Sequence, residues 1–197
     1  MREAVIVSTA RTPLTKAHRG EFNITSGPEL ASFAVRAAVE RAGIDPAMIE
    51  DAILGCGYPE GTTGRNVARQ SVIRAGLPIT IAGTTVNRFC ASGLQAIAIG
   101  AGRIIVDGAP AIIAGGGESI SHIRKDNNDP RLSEMYPAIF MPMIDTADIV
   151  AARYNISREA QDRFSFESQR KTEAAQLAGR YNEEIVACTT TMAVTDK

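Results

Sequence analysis

Apolar positions along this chain alternate between two rhythms, continuous β-branched runs and runs spaced for a helix. Ala4-Val5-Ile6-Val7-Ser8 is the first kind, the pattern of a strand covered on both faces. After a loop containing Gly, Pro and Thr, the residues Leu30, Phe33, Ala34, Ala37, Ala38 and Arg41 recur at helical spacing, and Gly43 closes that helix. Asp51 to Gly55 reads as a second strand, and Asn66 to Ala75, stopped by Gly76 and Pro78, as a second helix. Thr84 to Phe89 is a third strand. A largely apolar helix then starts at Cys90 and runs to about Val106, closing at Asp107-Gly108. Leu94, Ile97, Ile99, Ile104, Ile105 and Val106 make it apolar nearly all round, so it is expected to lie buried between layers. Pro110 to Ala114 and the run Gly115-Gly116-Gly117 follow as a fourth strand and its turn.

Strands alternating with helices at this spacing predict an α/β fold with a mostly parallel sheet and right-handed crossovers. Past Ser119 the character changes. Arg124 to Asp129 is charged and Asn-rich, and Pro130, Pro137 and Pro142 interrupt any long element. Thr146 to Tyr154 and Arg158 to Ala178 are helical in pattern, the second with Ser157 as N-cap, Glu159 in its first turn and Gly179 after its end. Glu184 to Val194 is rich in β-branched residues and is expected to form strands, ending in a turn-like Thr195-Asp196-Lys197. Such strands would leave an unpaired edge, so the sequence is expected to continue into a longer polypeptide or to need a second chain.

Composition narrows the classes. Charged residues are 22% and apolar residues 45% of the 197, the balance of an ordinary soluble globular protein. Net charge is −1 with Lys and Arg scattered, which leaves no electrostatic footprint for nucleic acid. The start is too short in its apolar run for a signal peptide, and no later stretch is read as approaching the ~18 apolar residues of a membrane span. A cytoplasmic location without membrane association is the expectation. Cys56, Cys90 and Cys188 are too widely spaced for a disulfide framework or a zinc pattern, and with only His18 and His122 a metal site is not expected.

Cys90 carries the most chemistry. A sulfur at a strand-to-helix turn faces unsatisfied N–H groups and the positive end of the helix dipole, which favour thiolate over thiol and so a nucleophile. The plainer alternative is a small apolar residue packing the helix start, where free cysteines are common.

Several segments occur together: Thr9-Ala10-Arg11-Thr12-Pro13 after the first strand, Val86-Asn87-Arg88-Phe89-Cys90-Ala91-Ser92-Gly93-Leu94-Gln95-Ala96, and Ala114-Gly115-Gly116-Gly117-Glu118-Ser119. Thr146-Ala147-Asp148 and Ile156-Ser157-Arg158-Glu159-Ala160-Gln161-Asp162 complete the set. With these, essentially the whole chain resembles the N-terminal half of a thiolase, the acetyl-CoA acyltransferase or acetyltransferase family. The resemblance implies a layered αβα fold, with residues 1–118 as the N-terminal α/β domain and 119–197 as an incomplete loop domain that covers CoA. It implies that Cys90 takes an acyl group from acyl-CoA as a thioester and passes it on in ping-pong fashion, with the Cys90 backbone N–H helping to hold the oxyanion. Acyl-CoA and CoA are then substrates, no covalently bound cofactor is implied, and a homo-oligomer is expected.

Met143 falls where the family places a Met that contacts pantetheine, although Pro142 stands where many members have His and Ile144 where many have Gly. The family's His, second Cys and Asn lie in GHP, CxGGG and NEAFA-type motifs, and none of these occurs here. His18 and His122 are read as loop or surface residues, and Cys188 as no substitute for the second cysteine. The chain alone is therefore expected to be inactive. Gly115-Gly116-Gly117 lacks a nucleotide-binding pattern and is read as a close passage of backbone, Gly57 to Gly64 as a turn-rich loop, and Arg11 as an ion-pairing anchor. A decarboxylating ketosynthase and a non-catalytic thiolase-like module remain as alternatives.

Overall fold

Ala52 and Leu54 point to one side of a parallel sheet, Ile53 and Gly55 to the other, and this alternation sorts the helices into layers. The computed structural model describes residues 2–123 and 128–194. They gather into two compact units, Met1–Arg124 with Glu184–Lys197, and Lys125–Glu183.

In the first unit, β1 (Ile49–Gly55) lies between β2 (Ala82–Val86) and β3 (Ala111–Gly116), all parallel. Helices α1 (Gly27–Ala42) and α2 (Val67–Arg74) cover one face. There Val35, Val39, Ala68 and Val72 meet Ala52 and Leu54, with Ala111 and Ile113 of β3 packed alongside. The register slips between Ile49 and Asp51, so Ile49 joins the same cluster as Ala52 despite the odd spacing, and Glu50 is turned out to solvent. The other face carries α3 (Ser92–Gly102). A Cβ on Gly55 would sit 2.2 Å from the carbonyl carbon of Ser92, and one on Gly100 3.1 Å from Ile112 Cγ2. Main chain therefore rests on main chain at the upper end of this contact, which only glycine permits.

The caps explain why these elements begin and end where they do. Ser26 Oγ accepts from Glu29 N and Gly43 closes α1 in the left-handed region, at φ 63°. Asn66 Oδ1 accepts from Arg69 N at the head of α2.

Four expectations are corrected. The run Ala4 to Ser8 forms no strand among the described residues: Val5, Ile6 and Val7 are exposed, and no neighbouring strand is there to take their backbone groups. Glu184 to Val194 likewise forms only an isolated parallel bridge, Arg11 with Ile185, backed by the Arg11–Glu184 ion pair at 3.3 Å. The third concerns the helix after β2. A single 3₁₀ turn over Phe89–Ala91 precedes α3, and Arg103–Asp107 winds as a π turn ending at Gly108. Of α3 only Ser92, Ala96 and Gly100 are buried, a stripe one residue wide, while Leu94 is 72% and Val106 80% exposed. It is not enclosed, because the described residues supply a layer on one side only. The helical run Phe89–Asp107 is also long and apolar enough to cross a membrane by length and composition, against the expectation that no stretch comes near one. Its small-residue stripe is committed instead to the sheet.

The second unit holds α4 (Pro130–Met135), α5 (Met143–Arg153) and α6 (Arg158–Leu177). Ser157 Oγ accepts from Ala160 N as the cap of α6, and the Glu159 carboxyl is held below its ordinary range by its own backbone N–H and by Ser157. Residues 124–127 of the charged loop, and the turn-like end at 195–197, lie outside the described residues.

Candidate active site

The order β2-β1-β3 makes the chain reverse direction: β1 leads through α2 to one neighbour, and β2 leads through α3 back past β1 to the other. With crossovers of one hand such a reversal sends the two helices to opposite faces, as observed, and brings the loops that leave the carboxyl ends of β1 and β2 side by side. Open α/β sheets bind ligands outside the carboxyl ends of their strands. Cys56 and Gly57 leave β1 there, and Asn87 to Cys90 leave β2 there.

Cys90 lies inside the 3₁₀ turn, two residues before α3, and not at the first residue of the α-helix as read from the sequence. It is exposed and free, and its sulfur has no hydrogen-bond partner among the described residues. What presents it is the residue before it. Phe89 has φ 47°, a left-handed backbone that a bulky side chain adopts at a cost of ~1–3 kcal/mol. Side chains hold it on both sides: Phe89 N donates to Asn87 Oδ1 at 2.8 Å, and Ser92 Oγ donates to Phe89 O at 2.6 Å while accepting from Arg88 N at 2.8 Å. The Phe89 ring stands edge-on to Tyr58, centroids 6.4 Å apart.

The floor is glycine. A Cβ on Gly116 would lie 3.2 Å from Gly93 Cα, and Gly117 N donates to Gly55 O at 3.0 Å, so the glycine run is the close backbone passage expected of it. Beside it Glu118 gathers three donors from the β1 side: Gly57 N at 2.7 Å, Tyr58 N at 3.2 Å and Cys56 Sγ at 3.2 Å. Burial and this carboxylate push the Cys56 thiol up to about 11, leaving it a proton donor at neutral pH. The Cys188 thiol is raised by burial alone.

The other sequence candidates lie on other elements of the chain. His18 is exposed and its backbone N–H donates to Ser121 Oγ at 2.9 Å. His122 lies in the 3₁₀ turn Ile120–His122, its Nε2 buried without a partner among the described residues. Neither hydrogen-bonds Cys90. Met143 is the first residue of α5 and 77% exposed. Sequence reasoning missed Cys56, Asn87, Ser92 and Glu118 as parts of this arrangement. An acidic residue directly after a glycine run at the carboxyl end of a strand was the available signal.

Residues 4–196 match the family described as thiolase, N-terminal domain. The chain belongs to the thiolase family. Its αβα layering and parallel sheet are those of a thiolase N-terminal domain. Among its relatives a 3-ketoacyl-CoA thiolase of Bacillus subtilis is 41% identical over 190 residues, covering 94% of this chain and 49% of the relative. An acetyl-CoA acetyltransferase of Cupriavidus necator is 38% identical, covering 94% and 51%, and a beta-ketoadipyl-CoA thiolase of Acinetobacter baylyi 36%, covering 96% and 52%. The chain thus spans about half the length of the curated thiolases it matches.

Proposed function

We propose that this chain supplies the nucleophile of a thiolase acting on acyl-CoA. The observation that carries the reading is the exposed Cys90 in a strained strand-to-helix turn at the carboxyl end of β2, beside the loop that leaves β1. In the cleavage direction the Cys90 thiolate attacks the 3-oxo carbon of a 3-oxoacyl-CoA. The bond between carbons 2 and 3 breaks, and acetyl-CoA leaves after its carbon 2 takes a proton. The thiol of CoA then attacks the acyl-Cys90 carbonyl, releasing the shortened acyl-CoA and returning the sulfur. The reverse sequence condenses two acyl-CoA units. N–H groups at the head of the helical run stabilise the tetrahedral oxyanion in both half-reactions.

Both steps need a base and an acid, and neither His18 nor His122 is in hydrogen-bond contact with the sulfur. These groups come from residues outside this chain, in the remainder of the polypeptide or a companion chain. Met143, exposed at the head of α5, contacts the pantetheine arm, and 119–197 forms the CoA-covering region. The protein works as a cytoplasmic homo-oligomer.

The experiment is acylation of the full-length protein with radiolabelled acetyl-CoA followed by peptide mapping. Label on the Cys90 peptide, formed without any malonyl donor and discharged by free CoA, is expected. A requirement for a malonyl donor turns the reading to a ketosynthase, and no label on Cys90 turns it to a non-catalytic module.

A further inference from the structure

Glu118 sits at the end of a chain of contacts that leads to the nucleophile. Its Oε2 accepts from Gly57 N at 2.7 Å and Tyr58 N at 3.2 Å, and its Oε1 from Cys56 Sγ at 3.2 Å. Gly57 O in turn accepts from Asn87 Nδ2 at 3.1 Å, and Asn87 Oδ1 accepts from Phe89 N at 2.8 Å. Phe89 is the residue whose left-handed backbone turns Cys90 out of the fold. The contacts are charge-assisted at the Glu118 end, where a carboxylate with several donors is strongest, and each later bond is set by the one before. Gly57 lies close under the turn, since a Cβ there would be 3.5 Å from Phe89 Cα and 3.1 Å from Glu118 Oε2. A methyl there would press on the Glu118 carboxylate and touch the Phe89 backbone.

We infer that Glu118 is a positioning residue for acyl transfer: through Gly57 and Asn87 it holds Phe89 in its strained conformation and so fixes where the Cys90 sulfur stands. The inference rests on the acyl-transfer reading above. Without Glu118 the loop after β1 loses the anchor of two N–H groups, Asn87 loses a fixed acceptor, and Phe89 relaxes out of the left-handed region. Cys90 is then no longer held outward.

The test uses full-length protein with Glu118→Ala, Glu118→Gln, Asn87→Ala and the Glu118→Ala/Asn87→Ala double variant. Two quantities are read, the rate of Cys90 alkylation by iodoacetamide, located by peptide mass spectrometry, and kcat and KM with acetyl-CoA. Displacement of a reacting group by about an ångström costs on the order of 100-fold, so Glu118→Ala is expected to lower kcat and the alkylation rate by roughly 10- to 100-fold, with KM within about 3-fold. Asn87→Ala shows a similar loss, and the double variant loses no more than the worse single one, because both break one chain. Glu118→Gln, whose amide oxygen still accepts from Gly57 and Tyr58, stays within about 3-fold of the parent.

Lowered thermal stability with unchanged rates per folded molecule overturns the inference, and so do multiplicative losses in the double variant. If Glu118→Ala does not fold, the exposed Asn87 carries the test, and unchanged rates in Asn87→Ala overturn it. A parent protein that never takes acetyl onto Cys90 fails the function reading instead, and the alkylation rates still judge Glu118.

Discussion

Two thiols at the carboxyl end of this sheet are prepared for opposite fates. Cys90 is exposed on a strained turn, whereas Cys56 is buried with its proton committed to Glu118. Brief iodoacetamide treatment at pH 8 is expected to modify Cys90 first, the half-buried Cys188 more slowly and Cys56 not at all, as read by peptide mass spectrometry. The Cys56 shift also has a thermodynamic side. Its folded value, about 11, lies above the ordinary 9.0, so folding favours the protonated thiol. That stabilisation is complete below pH 9 and disappears as pH rises toward 11; a displacement of this size corresponds to no more than about 3 kcal/mol. Urea melts across this range should therefore show a steeper alkaline loss in the parent than in Cys56→Ala, and parallel curves would remove Cys56 from the account. Cys90 was legible from the sequence because a strand, a thiol and an apolar helix follow one another directly. Glu118 was not, because its partners are backbone N–H groups some 60 residues away, and no local pattern encodes them.

Among the elements, caps and glycines decided what could be read. Helices α1, α2 and α6 were legible from the stop at Gly43, from Asn66, and from Ser157, since a cap is a local contact; the Ser26 cap of α1 was found only in the structure. Residues 4–8 carry an equally strong strand pattern and form no strand, because a strand exists only with a neighbour. The seat of α3 depends on Gly55. Gly55→Ala would drive a methyl to 2.2 Å from Ser92 backbone, and a cost above about 2 kcal/mol in chemical denaturation is expected, the range of severe overpacking. At its other end the helical run is latched to β1 through Arg103, whose guanidinium reaches the buried Asp51 at 3.4 Å and Glu50 at 3.5 Å. Arg103→Met leaves Asp51 with Thr84 Oγ1 as its remaining partner, and should cost about 3 kcal/mol, most of it restored by adding Asp51→Asn. No restoration in that double variant would show that packing of the Arg103 stem, and not charge, holds the latch.

For the molecule as a whole, the apolar surface is the dominant fact. Val5, Ile6, Val7, Leu94 and Val106 are all exposed within the first unit, more than isolated surface apolar residues account for. A preparation of these 197 residues alone is expected to bind a hydrophobic dye and to self-associate in size-exclusion chromatography, and Leu94→Glu to weaken both. A monodisperse monomer that leaves the dye dark would mean that this surface is covered in a way the described residues do not provide. The joint beneath Cys90 has a different consequence. Since Gly55 and Gly116 let peptide groups touch there, the height of the sulfur above the sheet offers mutation nothing to lengthen or trim. Under the proposed acyl transfer, efforts to broaden what is accepted are better spent around the rim, at Tyr58 and Phe89, treating the seat of Cys90 as a fixed datum from which every other distance is measured.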